Sequence, residues 1–180
     1  MKQSKIELLA PAGSEEAFFA AVRSGADAVY LGLKEANARI RAKNFSMRDL
    51  ETIVPFAHEK GVKVYITLNT LIKQREIRPV LETILRLSKI GPDALIVQDL
   101  AVAFLAARYA PNLALHASTQ MMIHNSAGAK TMKRLGFERV ILARECTLEE
   151  IMMIRDKAKI EVEIFAHGAL CYSYSGQCYF

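Results

Sequence analysis

Residues 163–178 hold the densest reactive chemistry in the chain: Glu163, His167, Cys171 and Cys178, punctuated by Gly168 and Gly176. Carboxylate, imidazole and thiolate are the side chains that ligate metals or move protons. Ile160, Val162, Ile164 and Ala166 alternate with Glu161, Glu163, Phe165 and His167, which predicts a strand over 160–166. That strand would deliver the reactive groups into a glycine-bounded loop, where functional side chains on a rigid scaffold commonly sit. Glu163 and His167, four apart, would face the same side. They read either as an acid–base pair or as satisfied core groups, with Glu163 bonded to His167 or to a buried arginine. His116 and Glu7 are candidates for similar inward polar groups.

Cys171 and Cys178 are too far apart for a C-x-x-C motif. Two thiolates cannot complete a four-ligand site, so a metal there needs Cys146, His167 or residues after Phe180. The competing reading is a pair of inert buried thiols. A second concentration lies at 34–48, where Lys34, Arg39, Arg41, Lys43 and Arg48 face the single acid Glu35, with Asn37, Asn44 and Phe45 among them. Guanidinium groups suit phosphates, and amides and an aromatic suit bases; a solvated loop is the alternative. Arg144, beside Glu145, either binds an anion or pairs with its neighbours. Tyr172, Tyr174 and Tyr179 either offer a stacking platform or pack on the cysteine loop.

The elements that must position these groups follow from periodicity and punctuation. Strands are predicted at 6–10, 28–33, 62–68, 94–97, 113–117, 139–143 and 160–166. Between them fall six helices, three of them capped by Ser14, Ser46 and Thr147. Such alternation without hairpin signals implies a parallel sheet with helical crossovers. No G-x-G-x-x-G follows a strand, which argues against a dinucleotide-binding sheet. Polar residues end strand after strand: Asn69, Gln98-Asp99, Ser118-Thr119-Gln120, Arg144-Glu145 and His167. Polar groups converging on one rim fit the active face of a barrel. The expected fold class is therefore α/β, a TIM-barrel-like parallel (β/α) barrel left incomplete at seven strands and six helices. Residues 1–180 read as the N-terminal part of one barrel domain whose C-terminal remainder is missing.

The stretch Glu163, Phe165, His167-Gly168-Ala169, Cys171, Ser175-Gly176, Cys178 resembles the signature of the U32 family, the collagenase-like peptidases. The resemblance extends to Glu7-Leu8-Leu9-Ala10-Pro11-Ala12-Gly13 and Gly25-Ala26-Asp27-Ala28-Val29-Tyr30. Asn37-Ala38-Arg39 and Lys43-Asn44-Phe45-Ser46 are similar to the branch concerned with hydroxylating a ribosomal RNA base. The resemblance implies a TIM-barrel-like fold. It also implies a [4Fe–4S] cluster, with Cys171 and Cys178 as two of four ligands and the other two beyond residue 180. Oxygen-independent hydroxylation of rRNA or tRNA is implied too, with a prephenate-derived compound as hydroxyl source.

On this reading Asn37, Arg39, Arg41, Lys43, Asn44 and Arg144 would contact RNA, and His167 and Glu163 would be the catalytic candidates. The family title implies a peptidase acting on peptides as the alternative. The chain has no H-E-x-x-H helix, and a Cys171–His167 nucleophile–base pair is the arrangement on offer. A catalytically idle binding module is the third reading.

With 24 basic and 19 acidic residues the net charge is +5, and 52% of residues are hydrophobic, enough for a large core. No run is long and apolar enough to span a membrane. Three cysteines do not make a secreted disulfide framework. A cytoplasmic protein without a membrane partner is expected.

Overall fold

The structure, a computed structural model, describes residues 6–34, 43–168 and 171–177. Strands β1 (Leu9–Ala12), β2 (Ala28–Gly32), β3 (Lys63–Leu68), β4 (Ala94–Val97), β5 (Ala114–Ala117), β6 (Arg139–Ile141) and β7 (Glu161–Glu163) form one sheet. Helices α1 (Glu15–Arg23), α2 (Met47–Glu59), α3 (Ile77–Ile90), α4 (Leu100–Tyr109), α5 (Ser126–Arg134) and α6 (Leu148–Ala158) connect them in turn. Strand order follows chain order, and every neighbouring pair is parallel.

The helices begin where the sequence says they should. Ser14 accepts a hydrogen bond from the Ala17 amide, satisfying one of the donors a helix start leaves open. Ser46 and Asp49 close a reciprocal capping box, as do Thr147 and Glu150. Each helix buries an apolar face, such as Leu50, Ile53, Val54 and Ala57 of α2, against the outer side of the sheet.

The sheet curls. Were it flat, β1 and β6 would stand five strand spacings apart, roughly 24 Å. Instead Arg139 on β6 donates to Glu7, just ahead of β1, at 2.7 Å. The concave side carries its own small cluster of Ala28, Tyr65, Ala94, Ile96 and Ile141, with Leu9, Tyr30 and Ala114 packed against it. The large core lies between sheet and helices. This is the curled half of a TIM-barrel-like (β/α) barrel.

Two expectations shift. The first strand runs through Pro11 rather than stopping before it. Among the described residues β1 pairs only with β2, and an edge strand tolerates a missing N–H. Ile6 and Leu8 are consequently exposed, while Glu7 between them turns inward. The last strand is three residues long, not seven. Among the described residues it pairs only with β6, itself three residues long, and the ladder ends with the Leu142 amide donating to the Glu163 carbonyl. His167 therefore does not share a strand face with Glu163; it sits in a bend, exposed to solvent.

Candidate active site

The cysteine loop is built on the exits of two neighbouring strands. Arg144, just past β6, donates from Nη2 to the Ser173 carbonyl at 2.8 Å and from Nη1 to the Cys171 carbonyl at 3.3 Å. Its backbone N–H and Nε both donate to Ser175 Oγ, at 3.0 and 3.3 Å. The Ser175 amide in turn donates to Glu145 Oε1 at 3.0 Å, and Ser175 is only 2% exposed. Gly176 adopts φ +82°, and a Cβ there would lie 2.6 Å from Met122 Cγ and 2.7 Å from the Gln120 carbonyl oxygen. Glycine is the residue that permits both the left-handed backbone and that close approach. Ser175-Gly176 thus keys the loop into the exits of β5 and β6. The guanidinium of Arg144 holds the loop's carbonyls, so it pairs with its neighbours here.

Cys171 is exposed. A hydrogen bond from the Ser173 amide, with help from the Ser173 hydroxyl and Arg144, brings its thiol below the usual range. That stabilises thiolate, the form that ligates metals or attacks electrophiles. Cys146 differs: burial, then the charges of Glu150 and Glu145, push its thiol up, and its sulfur contacts the His124 carbonyl at 3.8 Å. Among the described residues no three His, Cys, Asp or Glu side chains gather as a metal site. Cys178, the expected second ligand, lies outside the described residues. The chemistry of Cys171 suits a thiolate ligand.

Inside the curl lies a charged layer. Glu7 accepts from Arg139 Nη1 at 2.7 Å, Tyr65 Oη at 2.7 Å and Lys63 Nζ at 2.8 Å. Burial alone would lift its carboxyl, but those bonds outweigh it and hold the group at about 2. Arg139 also reaches Glu161 at 2.8 Å and Glu163 at 3.4 Å, with its guanidinium 5.4 Å from the Tyr65 ring centre. Glu163 behaves oppositely to Glu7. Burial pushes its carboxyl up, and Arg139, closer to two other carboxylates, does not reverse this. His116 packs edge-on against Tyr65, and burial followed by the charge of Arg139 lowers it to about 3, so the ring is neutral.

Above this layer, at the strand ends, opens a cavity of about 260 Å³. Its rim and walls include Gly13, Tyr30, Asn44, Thr67, Asn69, Ile96, Ser118, Thr119, Gln120, Ile141, Glu163 and Phe165. Gln120 belongs to both features: it is among the residues lining the cavity, and its carbonyl oxygen lies 2.7 Å from where a Cβ on Gly176 would sit. The cysteine loop and the cavity therefore share a wall.

Of the predicted residues, Glu163 and Asn44 border this cavity. Asn44 is buried in the left-handed conformation (φ 45°), and its amide donates to the Gly13 carbonyl. Lys43 instead lies on the outer surface, 3.7 Å from Glu16. Asn37, Arg39 and Arg41 lie outside the described residues. Tyr172 and Tyr174 turn their rings to solvent rather than packing on the loop, and Tyr179 is outside the described residues. Among the described residues His167 has no hydrogen-bond partner and lies apart from the cavity lining. Glu7 and His116 are inward polar groups as expected, and the buried arginine for Glu163 is Arg139. Thr67 and Arg139 carried no local signal of their own. Asn69 and Gln120 were visible as strand-exit residues without an assigned role.

A sequence profile described as Peptidase family U32 matches residues 13–180. The 23S rRNA 5-hydroxycytidine C2501 synthase of Escherichia coli (strain K12) is 43% identical over 175 residues, covering 97% of this chain and 26% of that protein. The tRNA hydroxylation protein P1 of Bacillus subtilis (strain 168) is 38% identical, covering 97% of this chain and 41% of that protein. The chain thus spans between a quarter and two fifths of the length of these relatives. Among solved structures, the U32 peptidase Mk0906 superposes with a TM-score of 0.75 at 16% identity, covering 91% of this chain and 70% of that one. At that identity the likeness concerns the fold.

Proposed function

The chain belongs to peptidase family U32, and from that premise we propose that it is part of an RNA-modifying enzyme that hydroxylates a base of rRNA or tRNA. The observation that carries the reading is the wall shared by the cavity and the Cys171 loop through Gln120 and Gly176. The names of relatives from two organisms, an rRNA hydroxycytidine synthase and a tRNA hydroxylation protein, support it.

Cys171 and Cys178 would hold a [4Fe–4S] cluster together with two thiolates from elsewhere in the protein. Such a cluster supplies one-electron chemistry, or a Lewis-acidic iron, at the edge of the site. Every other part falls to residues of this chain. Arg144 and Glu145 fix the loop that carries Cys171. Glu163, raised by burial, holds or releases a proton at its carboxyl where it meets the cavity. Arg139 fixes the orientation of that carboxyl from below. Arg39 and Arg41 would take RNA phosphates, and the hydroxyl would come from a prephenate-derived compound. Free thiols of this kind suit a reducing cytoplasm.

The test uses the intact protein purified without oxygen. It should be brown, absorbing broadly near ~400 nm as thiolate-ligated iron does, and Cys171→Ala should remove the colour. Nucleosides from RNA of a strain lacking the protein should lack one hydroxylated base, restored by the wild type and not by Cys171→Ala. A colourless protein whose loss leaves every RNA nucleoside unchanged, and which cleaves peptides with Cys171 as nucleophile, would establish the peptidase alternative instead.

A further inference from the structure

We propose that the outer face of α4 is where two copies of this chain meet, their helices antiparallel about a two-fold axis at Phe104. The interface is independent of which reaction the cavity carries. Arg108 is the one charged residue of α4. Val102, Ala103, Leu105 and Ala106 cover the side turned to the core. At helical spacing Leu100, Ala101, Phe104, Ala107 and Arg108 share the opposite face, and all five are exposed. Phe104 is 68% exposed and Leu100 55%. A helix apolar on every side is normally enclosed on every side, and a contiguous apolar patch left open marks a contact surface. The neighbouring helices look as solvated helices should, with Arg78, Glu82 and Arg86 exposed on α3 and Lys130, Lys133 and Arg134 on α5. The Ile72 amide donates to the Asp99 carboxylate at 3.1 Å, which brings Leu71, 73% exposed, beside the start of α4.

This face is complementary to itself, which a two-fold interface requires. A half-turn about an axis perpendicular to α4 at Phe104 sets that ring against its own copy. The same rotation sets Ala101 against Ala107, and Arg108 beside Leu100 and Asp99. Alanines on both sides of the aromatic pair let the two backbones approach closely. Among the described residues Arg108 has no ion-pair partner. The Asp99 carboxylate accepts from the Ala101 and Ile72 amides and keeps lone pairs for a guanidinium. Arg108 of one copy reaches Asp99 of the other, its stem lying over Leu100. A nucleic acid finds a single cation on this face, too few to hold its phosphates. Because α4 starts at the strand ends where the cavity opens, antiparallel helices turn the two cavities in opposite directions and leave both open.

The experiment measures the mass of the intact protein in solution by light scattering at micromolar concentrations. The wild type should have twice its chain mass. Phe104→Glu sets two carboxylates against each other on the axis and should raise the dissociation constant at least about thirtyfold. Its circular dichroism should be unchanged, because the side chain replaced is exposed. A short bismaleimide should join Phe104→Cys to its own copy, identified by mass spectrometry as a peptide linked 104 to 104. Leu148→Cys, exposed on α6, should give no such self-linked peptide. A wild-type monomer overturns the interface, whether α4 is then bare or covered by another part of the polypeptide. A dimer that survives Phe104→Glu, or that links through 148 and not through 104, has its contact elsewhere and overturns it too. The cross-link decides the matter even if Phe104→Glu fails to fold.

Discussion

Arg139 and Glu7 are 132 residues apart in the chain, yet Nη1 of one lies 2.7 Å from Oε1 of the other. The contact ties β6 to the segment ahead of β1 across the hollow of the barrel. Its ion pair is largely removed from water, with the Arg139 side chain 11% exposed and that of Glu7 19%. Removing one partner of such a pair leaves an uncompensated charge inside. Arg139→Met should therefore lower the unfolding free energy by about 3 kcal/mol, measured by urea denaturation. A loss under about 1 kcal/mol, the value for an exposed pair, would show that this contact does not hold the curl closed.

Glu7 and Glu163 should give the acid limb of stability opposite contributions. The Glu7 carboxyl lies at about 2 when folded, below its ordinary value. Its contribution is therefore complete above the ordinary carboxylate range and is lost as pH falls towards 2. Glu163 is raised when folded, so its contribution is complete below the ordinary range and is lost as pH rises through its elevated value. Urea midpoints followed from pH 6 downward should fall less steeply in Glu7→Gln than in the wild type. Glu163→Gln should fall at least as steeply as the wild type, because Glu7, Arg139 and Glu161 remain in place. Identical slopes for all three proteins would refute the assignment.

The lowered thiol of Cys171 depends on the Ser173 amide and on Arg144. Arg144→Gln removes the charge and the grip on two loop carbonyls together. Alkylation of Cys171 by iodoacetamide, followed against pH in the metal-free protein, should then move its midpoint upward and slow at neutral pH. Cys146, raised by burial, supplies the slow internal reference. An unchanged Cys171 midpoint would mean that the loop sets its own acidity without β6.

Gly176→Ala forces a left-handed residue to carry a Cβ against Met122 and the Gln120 carbonyl. The loop should detach from its seat while the barrel stays folded. Hydrogen exchange of the Ser175 amide, now bonded to Glu145 at 3.0 Å, should speed roughly tenfold, equivalent to about 1.4 kcal/mol of local stability. Exchange at the wild-type rate would mean that the close approach has room to relax.

The sequence was most legible where a local rule decides the outcome. Ser46-to-Asp49 and Thr147-to-Glu150 state their own caps within four residues, and the alternation of strand and helix announced the parallel barrel. The strand-exit rule picked out Asn69 and Gln120 on the right rim. It failed where the answer depends on which strands the curl brings together. Nothing near Arg139 signals that Glu7 awaits it, and nothing near Arg144 signals that its partners are carbonyls of the cysteine loop. The last strand stops at Glu163 rather than at 166 because the backbone partner runs out there, although side-chain alternation continues.

The seat of the Cys171 loop has a consequence for how the thiol is aimed. Ser175 and Gly176 fit against residues 120–122 and 144–145, and those residues acquire their positions when β5 and β6 pair. The direction in which Cys171 is presented is thus inherited from the pairing of two strands that lie before it in the chain.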